Sequence, residues 1–386
     1  MMLALAAVAP LALSIPQSGG EAAVPVARTE DVGVQAAREA AVDWLVDRQE
    51  RSGRWESDAF FARPVDDLPL WDDRWLEEEP PLRPLGDGVV CWSTEDAPLG
   101  DVGATGLAVL ALVADGSTLT RGRHREPVKR AVRWLVTQQD RETGLIGQPA
   151  GRAYVPDHAI ATLALCEVQR LDRVTIVKGY ARAAVGFIES ARNPHGGWRH
   201  EVPPDGQSDT LVTTWMVLAL DAARRAGLEV DPAALRGAAS WYAEATDPDT
   251  GRVGSEETGS LTEAALLGRL TLGQRPALAT VMIDHVRHVL ATLPEDPLAH
   301  VADARAVFFG ARATSWLGGT PWTRWSAAFV PALVDLPSRE GTTEGSWDPD
   351  GDLGASLGRV GTTALLAWTL GSVEGAPSDG ALQRDR

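Results

Sequence analysis

Five carboxylates and one guanidinium stand at corresponding places along this 386-residue chain, each preceding or opening a run of small apolar residues. They are Asp101, Asp157, Asp209, Glu263, Asp303 and Arg359. A carboxylic acid in the first turn of a helix accepts from free backbone N–H groups and complements the helix dipole, and that role is sufficient to explain all five acids. If the runs are helices gathered at one end, one or two of the acids could instead act as a general acid or bind a polar ligand. His158 follows Asp157 directly. Successive helical residues point about 100° apart, so His158 should pair with a carboxylate of a neighbouring helix, or simply sit as a polar residue beside a capping acid. Trp215, inside the third apolar run, either packs in the core or offers a ring face to an apolar or cationic ligand.

Other chemistry-bearing groups lead to less. Asp284, His285 and His288 share a helical turn, but on an amphipathic segment that belongs to an outer wall. The stretch Asp348-Pro349-Asp350-Gly351-Asp352 resembles the start of a calcium loop, yet Leu353 and Arg359 occupy the places where such a loop needs Gly and Glu. The Asp pairs 66–67 and 72–73 fall in an irregular insert. Cys91 and Cys166 are the two cysteines; Cys166 lies in an apolar run and reads as a buried thiol. No metal or cofactor is expected.

The elements that must position these groups repeat. Trp44-Leu45, Gln49 and Gly53-Arg54-Trp55 form a pattern that returns at Trp134-Leu135, Gln139, Gly144-Leu145-Ile146 and at Phe187-Ile188, Arg192, Gly196-Gly197-Trp198. Weaker copies are Trp241-Tyr242 with Gly251-Arg252-Val253, and Leu333-Val334 with Gly345-Ser346-Trp347. After these come apolar segments around 103–108, 159–164, 213–218, 262–271, 302–315 and 361–366. The fifth repeat opens at Val281–Leu293 and lacks the Gly-x-Trp turn. The first kind of segment is amphipathic: Ala41, Trp44 and Leu45 make one stripe while Arg38, Glu39, Asp43, Asp47 and Arg48 cover the rest. The second is apolar nearly all round and must be buried on most faces. Alternating half-buried and fully buried helices predict two concentric layers, and a closed ring removes the need for capping ends.

The Trp-Leu-x3-Gln-x3-Gly-x-Trp string at 44–55 resembles the QW motif of triterpene cyclases. The run from about Glu39 to Ser372 is similar to bacterial prenyltransferase and squalene oxidase repeat proteins, on stretches such as Gly100-Asp101-Val102-Gly103-Ala104-Thr105-Gly106-Leu107 and Gly345-Ser346-Trp347-Asp348-Pro349. The resemblance implies an all-α, single (α/α)6 toroid over 28–375, with amphipathic helices outside and apolar ones around a central cavity. The five acids and Arg359 would then ring one mouth, and an apolar or isoprenoid small molecule is the implied ligand. The Asp-x-Asp-Asp acid motif of the cyclases is absent, as are the zinc ligands of protein prenyltransferases and a thioester Cys–Gln site. The reading is therefore non-catalytic ligand binding or scaffolding. An isoprenoid cyclase or transferase using other acids, or a carbohydrate-active (α/α)6 enzyme, stands as the alternative.

A formal net charge of −17 speaks against nucleic acid or anionic membrane as partner. The apolar stretch Met1 to Ser14 suits the core of a signal peptide, so 1–27 reads as a leader and the protein as periplasmic or extracellular, with a cytoplasmic chain as the alternative. No later stretch is long enough to span a bilayer. The Pro-, Trp- and acid-rich insert 56–100 reads as a lid, and 376–386 as a disordered tail.

Overall fold

Small residues and leucines at every position of a segment leave no face for water, and such segments become the inner wall. The computed structural model describes residues 29–57, 99–151, 153–204, 206–254, 261–276, 279–293, 303–349 and 351–374. The expected leader, nearly all of the 56–100 insert with Cys91, and the expected tail lie outside the described residues. Twelve α-helices are found among the described residues: α1 (Thr29–Arg48), α2 (Asp101–Ala114), α3 (Arg125–Thr137), α4 (Tyr154–Asp172), α5 (Thr175–Ser190), α6 (Thr210–Arg225), α7 (Pro232–Glu244), α8 (Leu261–Thr271), α9 (Thr280–Ala291), α10 (Ala304–Leu317), α11 (Gly319–Asp335) and α12 (Gly351–Glu374). The only β pairing among the described residues is three isolated bridges.

The even-numbered helices pack in the cycle α2, α4, α6, α8, α10, α12 and back to α2, a closed inner ring. The odd-numbered helices lie outside it, and α1 closes the outer layer by packing on α12 and α11. This is an (α/α)6 toroid. Inner neighbours run parallel: Gly103 meets Asp157 and Gly106 meets Ala161, so α2 and α4 start together. Thr214 Oγ1 of α6 contacts the Ala264 carbonyl of α8 at 3.2 Å, and Gly371 of α12 lies against Ala114 of α2. Gly100, Gly103 and Gly106 form a small-residue stripe along one edge of α2 that lets α4 approach closely.

The repeated turn explains how outer and inner helices are joined. Its glycine takes a positive φ, +100° at Gly53, +81° at Gly144, +101° at Gly196, +70° at Gly251 and +86° at Gly345. Each of the five lies on the next outer helix, against Arg130, Ala183, Gly237, Asp284 and Ala40 respectively. Gly345 thus seats the last turn on the first helix and seals the ring. Gln49 Nε2 donates to Gly53 O and Pro127 O, and Gln139 Nε2 donates to Gly144 O and Tyr180 O, so the motif's glutamine pins the turn to the helix beyond. The tryptophan folds back: Trp55 Nε1 donates to Leu45 O and Trp198 Nε1 to Ile188 O, both at 2.7 Å. These rings are fully buried.

One more contact recurs. The backbone N–H two residues after the turn glycine, at Trp55, Ile146, Trp198 (second after Gly196), Val253 and Trp347, is satisfied by an inner-helix side chain. Thr105, Thr213, Thr262 and Thr363 use Oγ1; in the second repeat His158 Nδ1 does the same work at 2.9 Å. Replacing Thr213 by Val keeps the volume and orphans the buried Trp198 N–H. The expected loss is about 1–3 kcal/mol in urea unfolding with an unchanged slope, and no loss would remove the pinning role.

Candidate functional site

The acids of the inner helices stand at the end of the ring where those helices start, and four of the five have a local task. Asp209 caps α6 by accepting from Val212 N at 2.8 Å, and Asp303 caps α10 by accepting from Arg305 N and Ala306 N at 3.0 and 3.1 Å. Asp101 does not cap. Its Oδ1 accepts from Ser57 N at 3.0 Å, and its Oδ2 pairs with Arg54 at 2.9 Å, tying the first turn to α2. Arg54 also pairs with Glu50 and Glu56.

Asp157 differs most from a capping acid. Its carboxyl crosses to the neighbouring helix, where Oδ2 accepts from Gly100 N at 3.0 Å. Oδ1 is buried against Gly103 without a hydrogen bond. Burial pushes its pKa up to about 8; the Gly100 N–H opposes that shift and the nearby Asp101 adds to it. Glu263, half-buried at the start of α8, is pushed up to about 7, by burial first and then by Asp303; its own backbone N–H opposes the rise. Asp303 is itself raised by burial, which Arg305 and the two capping N–H groups counter. The fold therefore brings the acids together as two pairs, Asp101 with Asp157 and Glu263 with Asp303.

Arg359 follows a kink at Gly358 in α12 and lies buried at the same mouth, donating to Ser346 Oγ at 2.8 Å and pairing with Asp348. Asp348, the head of the calcium-like stretch, is thus an arginine partner. His158 leaves the mouth altogether. It points outward between the layers, with Nδ1 on Ile146 N, Nε2 3.1 Å from Ala184 O, and its ring edge-on to Phe187. The expected carboxylate partner is replaced by backbone groups, and burial drives its pKa down to about 4. His285 is likewise buried between layers, on the Gly251 carbonyl. No cluster of three metal-ligating side chains exists among the described residues.

Trp215 lies further along α6 and is buried. Its ring stacks on Phe308 at 5.6 Å and meets Phe309 at 5.3 Å, and Phe308 in turn packs on Trp368 at 4.6 Å. Aromatic side chains from α6, α10 and α12 therefore meet across the ring. The resemblance implied a central cavity; at this level four buried rings pack against one another. Arg54, Phe308, Phe309 and Trp368 are site components that the sequence reading passed over. Their apolar or turn context gave no sign of which face they present, although the glycines flanking Asp101 did signal a close approach.

No family model matches the chain, and no curated protein matches its sequence. Solved structures do match its shape. The type II terpene cyclase MstE from Scytonema superposes with a TM-score of 0.55 at 14% identity, over 90% of this chain and 99% of that one. An α-1,6-mannanase of Salegentibacter gives 0.55 at 10% identity, over 88% and 99%. A Clostridium perfringens α-amylase gives 0.54 at 10% identity, over 87% and 98%. At such identities the likeness is one of architecture. The chain has the (α/α)6 toroid fold, an architecture it shares with a terpene cyclase and with glycan-cleaving enzymes.

Proposed function

We propose that this toroid is a non-catalytic binding or scaffolding protein whose ligand meets the acid-bearing mouth. The observation that carries this reading is the aromatic layer of Trp215, Phe308, Phe309 and Trp368, which joins α6, α10 and α12 inside the ring. An isoprenoid chain, the ligand that the resemblance implies, would have to displace that layer. The rim above it mixes charges, Arg54 with Asp101 and Glu56 and, close by, Arg359 with Asp348. Such a rim offers donors and acceptors to a polar ligand. Export to the periplasm or beyond, supported by the Met1 to Ser14 stretch, belongs to the same reading.

A second reading has one observation behind it. Asp157 is a carboxyl held protonated near neutral pH, beside the Arg54-paired Asp101, and acids so separated are the material of general acid catalysis. The neighbours frame the test. MstE has been seen with its substrate geranylgeranyl dihydroxybenzoate, and the mannanase with α-1,6-mannotriose. Both compounds are incubated with the purified protein, with binding followed by calorimetry and products by mass spectrometry. Binding without turnover supports the non-catalytic reading. Turnover that Asp157→Asn abolishes overturns it in favour of the second. No binding of either compound leaves scaffolding as the remaining form of the first.

A further inference from the structure

The opposite mouth, where the inner helices end, carries an arginine cluster unlike the rest of this acidic molecule. Glu167 of α4 and Asp221 of α6 are its two carboxylates, and all four of their oxygens are taken. Glu167 Oε2 pairs with Arg170 and Oε1 with Arg225, at 2.9 and 2.7 Å. Asp221 Oδ1 pairs with Arg224 and Oδ2 with Arg225, at 2.7 and 2.9 Å. Into this group reaches Arg312 from α10, across the ring. It feels the charges of Glu167, Asp221 and Arg225 yet forms an ion pair with neither acid. Among the described residues, its hydrogen bond to a side chain goes to Ser372 Oγ of α12 at 3.0 Å.

Four guanidiniums thus face two fully committed carboxylates, a local excess of positive charge in a chain of net charge −17. Arg312 is half-buried and is backed by aromatic faces, 5.2 Å from the Trp368 centroid and 6.0 Å from that of Phe308. Those faces lower the local dielectric, and among the described residues most of its N–H donors are unspent. Burial lowers its affinity for its proton, while Glu167 and Asp221 oppose that shift and Arg225 adds to it. Arginines at helix C-termini also complement the dipole, which accounts for Arg170, Arg224 and Arg225. Arg312 lies a full turn before the end of α10, inside the ring, where the dipole account fails.

We propose that Arg312, with Arg225 beside it, forms a binding site for an oxyanion head group at the C-terminal mouth of the inner ring. A planar guanidinium recognises carboxylate or phosphate through paired N–H donors, so either chemistry fits. A cavity of about 180 Å³ on the same face, between α6, α7 and α8, shares Asp221 and Arg224 with the cluster and has an apolar floor of Val217, Leu235 and Leu272. Neither Arg312 nor Arg225 lines it. The anion is either free or the head of a small amphiphile, and the test separates these.

Inorganic phosphate and octanoate are titrated into the full chain by calorimetry at low ionic strength. The expected result is saturable binding to the unmodified protein, weakened by added salt, and at least tenfold weaker in Arg312→Met. Tighter binding of octanoate marks an amphiphile as the ligand; equal or tighter binding of phosphate marks a free anion. Arg236→Gln, an exposed arginine on the cavity rim, should leave phosphate affinity unchanged. Should Arg312→Met fail to fold by circular dichroism, Arg312→Lys keeps the charge and loses the planar fork, and a several-fold weakening is expected. The proposal is overturned if neither anion binds the unmodified protein, or if the Arg312 variant that folds retains full affinity.

Discussion

Gly196→Ala should unfold most of the molecule's stability, while Gly227→Ala should be a mild substitution. Both glycines have positive φ, +101° and +75°. At Gly227 an added Cβ meets nothing within 4 Å, so the penalty is the left-handed backbone alone, about 1 kcal/mol. At Gly196 the added atom would overlap the carbonyl of Gly237 in the middle of α7. That obstacle is backbone, with no rotamer to turn aside, so either the turn or a whole outer helix must shift. Trp198 is anchored by the same turn, its N–H on Thr213 and its indole on Ile188, so movement there opens the core. The expected loss is roughly 3–5 kcal/mol, the range of a large core truncation. Urea midpoints of the two variants measure it, and equal shifts would show that the glycine is needed only for its φ.

Asp157→Asn should stabilise the protein, by an amount that grows with pH. A carboxyl raised from 3.8 to about 8 keeps in the folded state a proton that the unfolded chain has released. The native state is therefore favoured fully only below the unfolded pKa, and stability drains away as pH climbs towards 8. At about 1.4 kcal/mol per unit, the difference between variant and parent should widen by roughly 4 kcal/mol from pH 5 to pH 9, flattening above 8. Asn retains an acceptor for the Gly100 N–H and resembles the protonated acid in shape. The parent's own curve is less simple. His158 and His285, both depressed to about 4 by burial, contribute stability that is present above pH 6.5 and lost as pH falls towards 4. These contributions are common to both proteins and cancel in the difference. Thermal melts at pH 5, 7 and 9 provide it, and a constant offset would mean that Asp157 is ionised in the folded protein.

The architecture was legible because its determinants are local. A stripe of Ala41, Trp44 and Leu45 beside charged neighbours states how deeply a helix is buried, and a glycine before a tryptophan marks a turn that needs positive φ. The apolar stretch expected over 262–271 is α8 at Leu261–Thr271, and the fifth outer helix expected from Val281 begins at Thr280. The first outer helix starts at Thr29, well before the amphipathic pattern that is visible from Arg38. The acids were legible as a set because first-turn position is also local. What each one holds was not. Asp157 answers to Gly100, 57 residues away, and His158 to a turn and an outer helix, partners that only the closed ring supplies. Arg312 gave no signal, since one arginine in an apolar run reads as an interruption until the aromatics behind it are known.

The seal between Gly345 and Ala40 has a further consequence for how the molecule is made. Beside it, Trp44 Nε1 donates to Thr342 O across 298 residues of sequence. Contacts of such span form late, because a long loop of chain must be ordered before they reward it. During synthesis from the N-terminus, α1 emerges first and waits for α12, its principal neighbour, until the end. Until α12 has left the ribosome the ring cannot close, and the apolar flanks of α1 and α2 that it covers stay open.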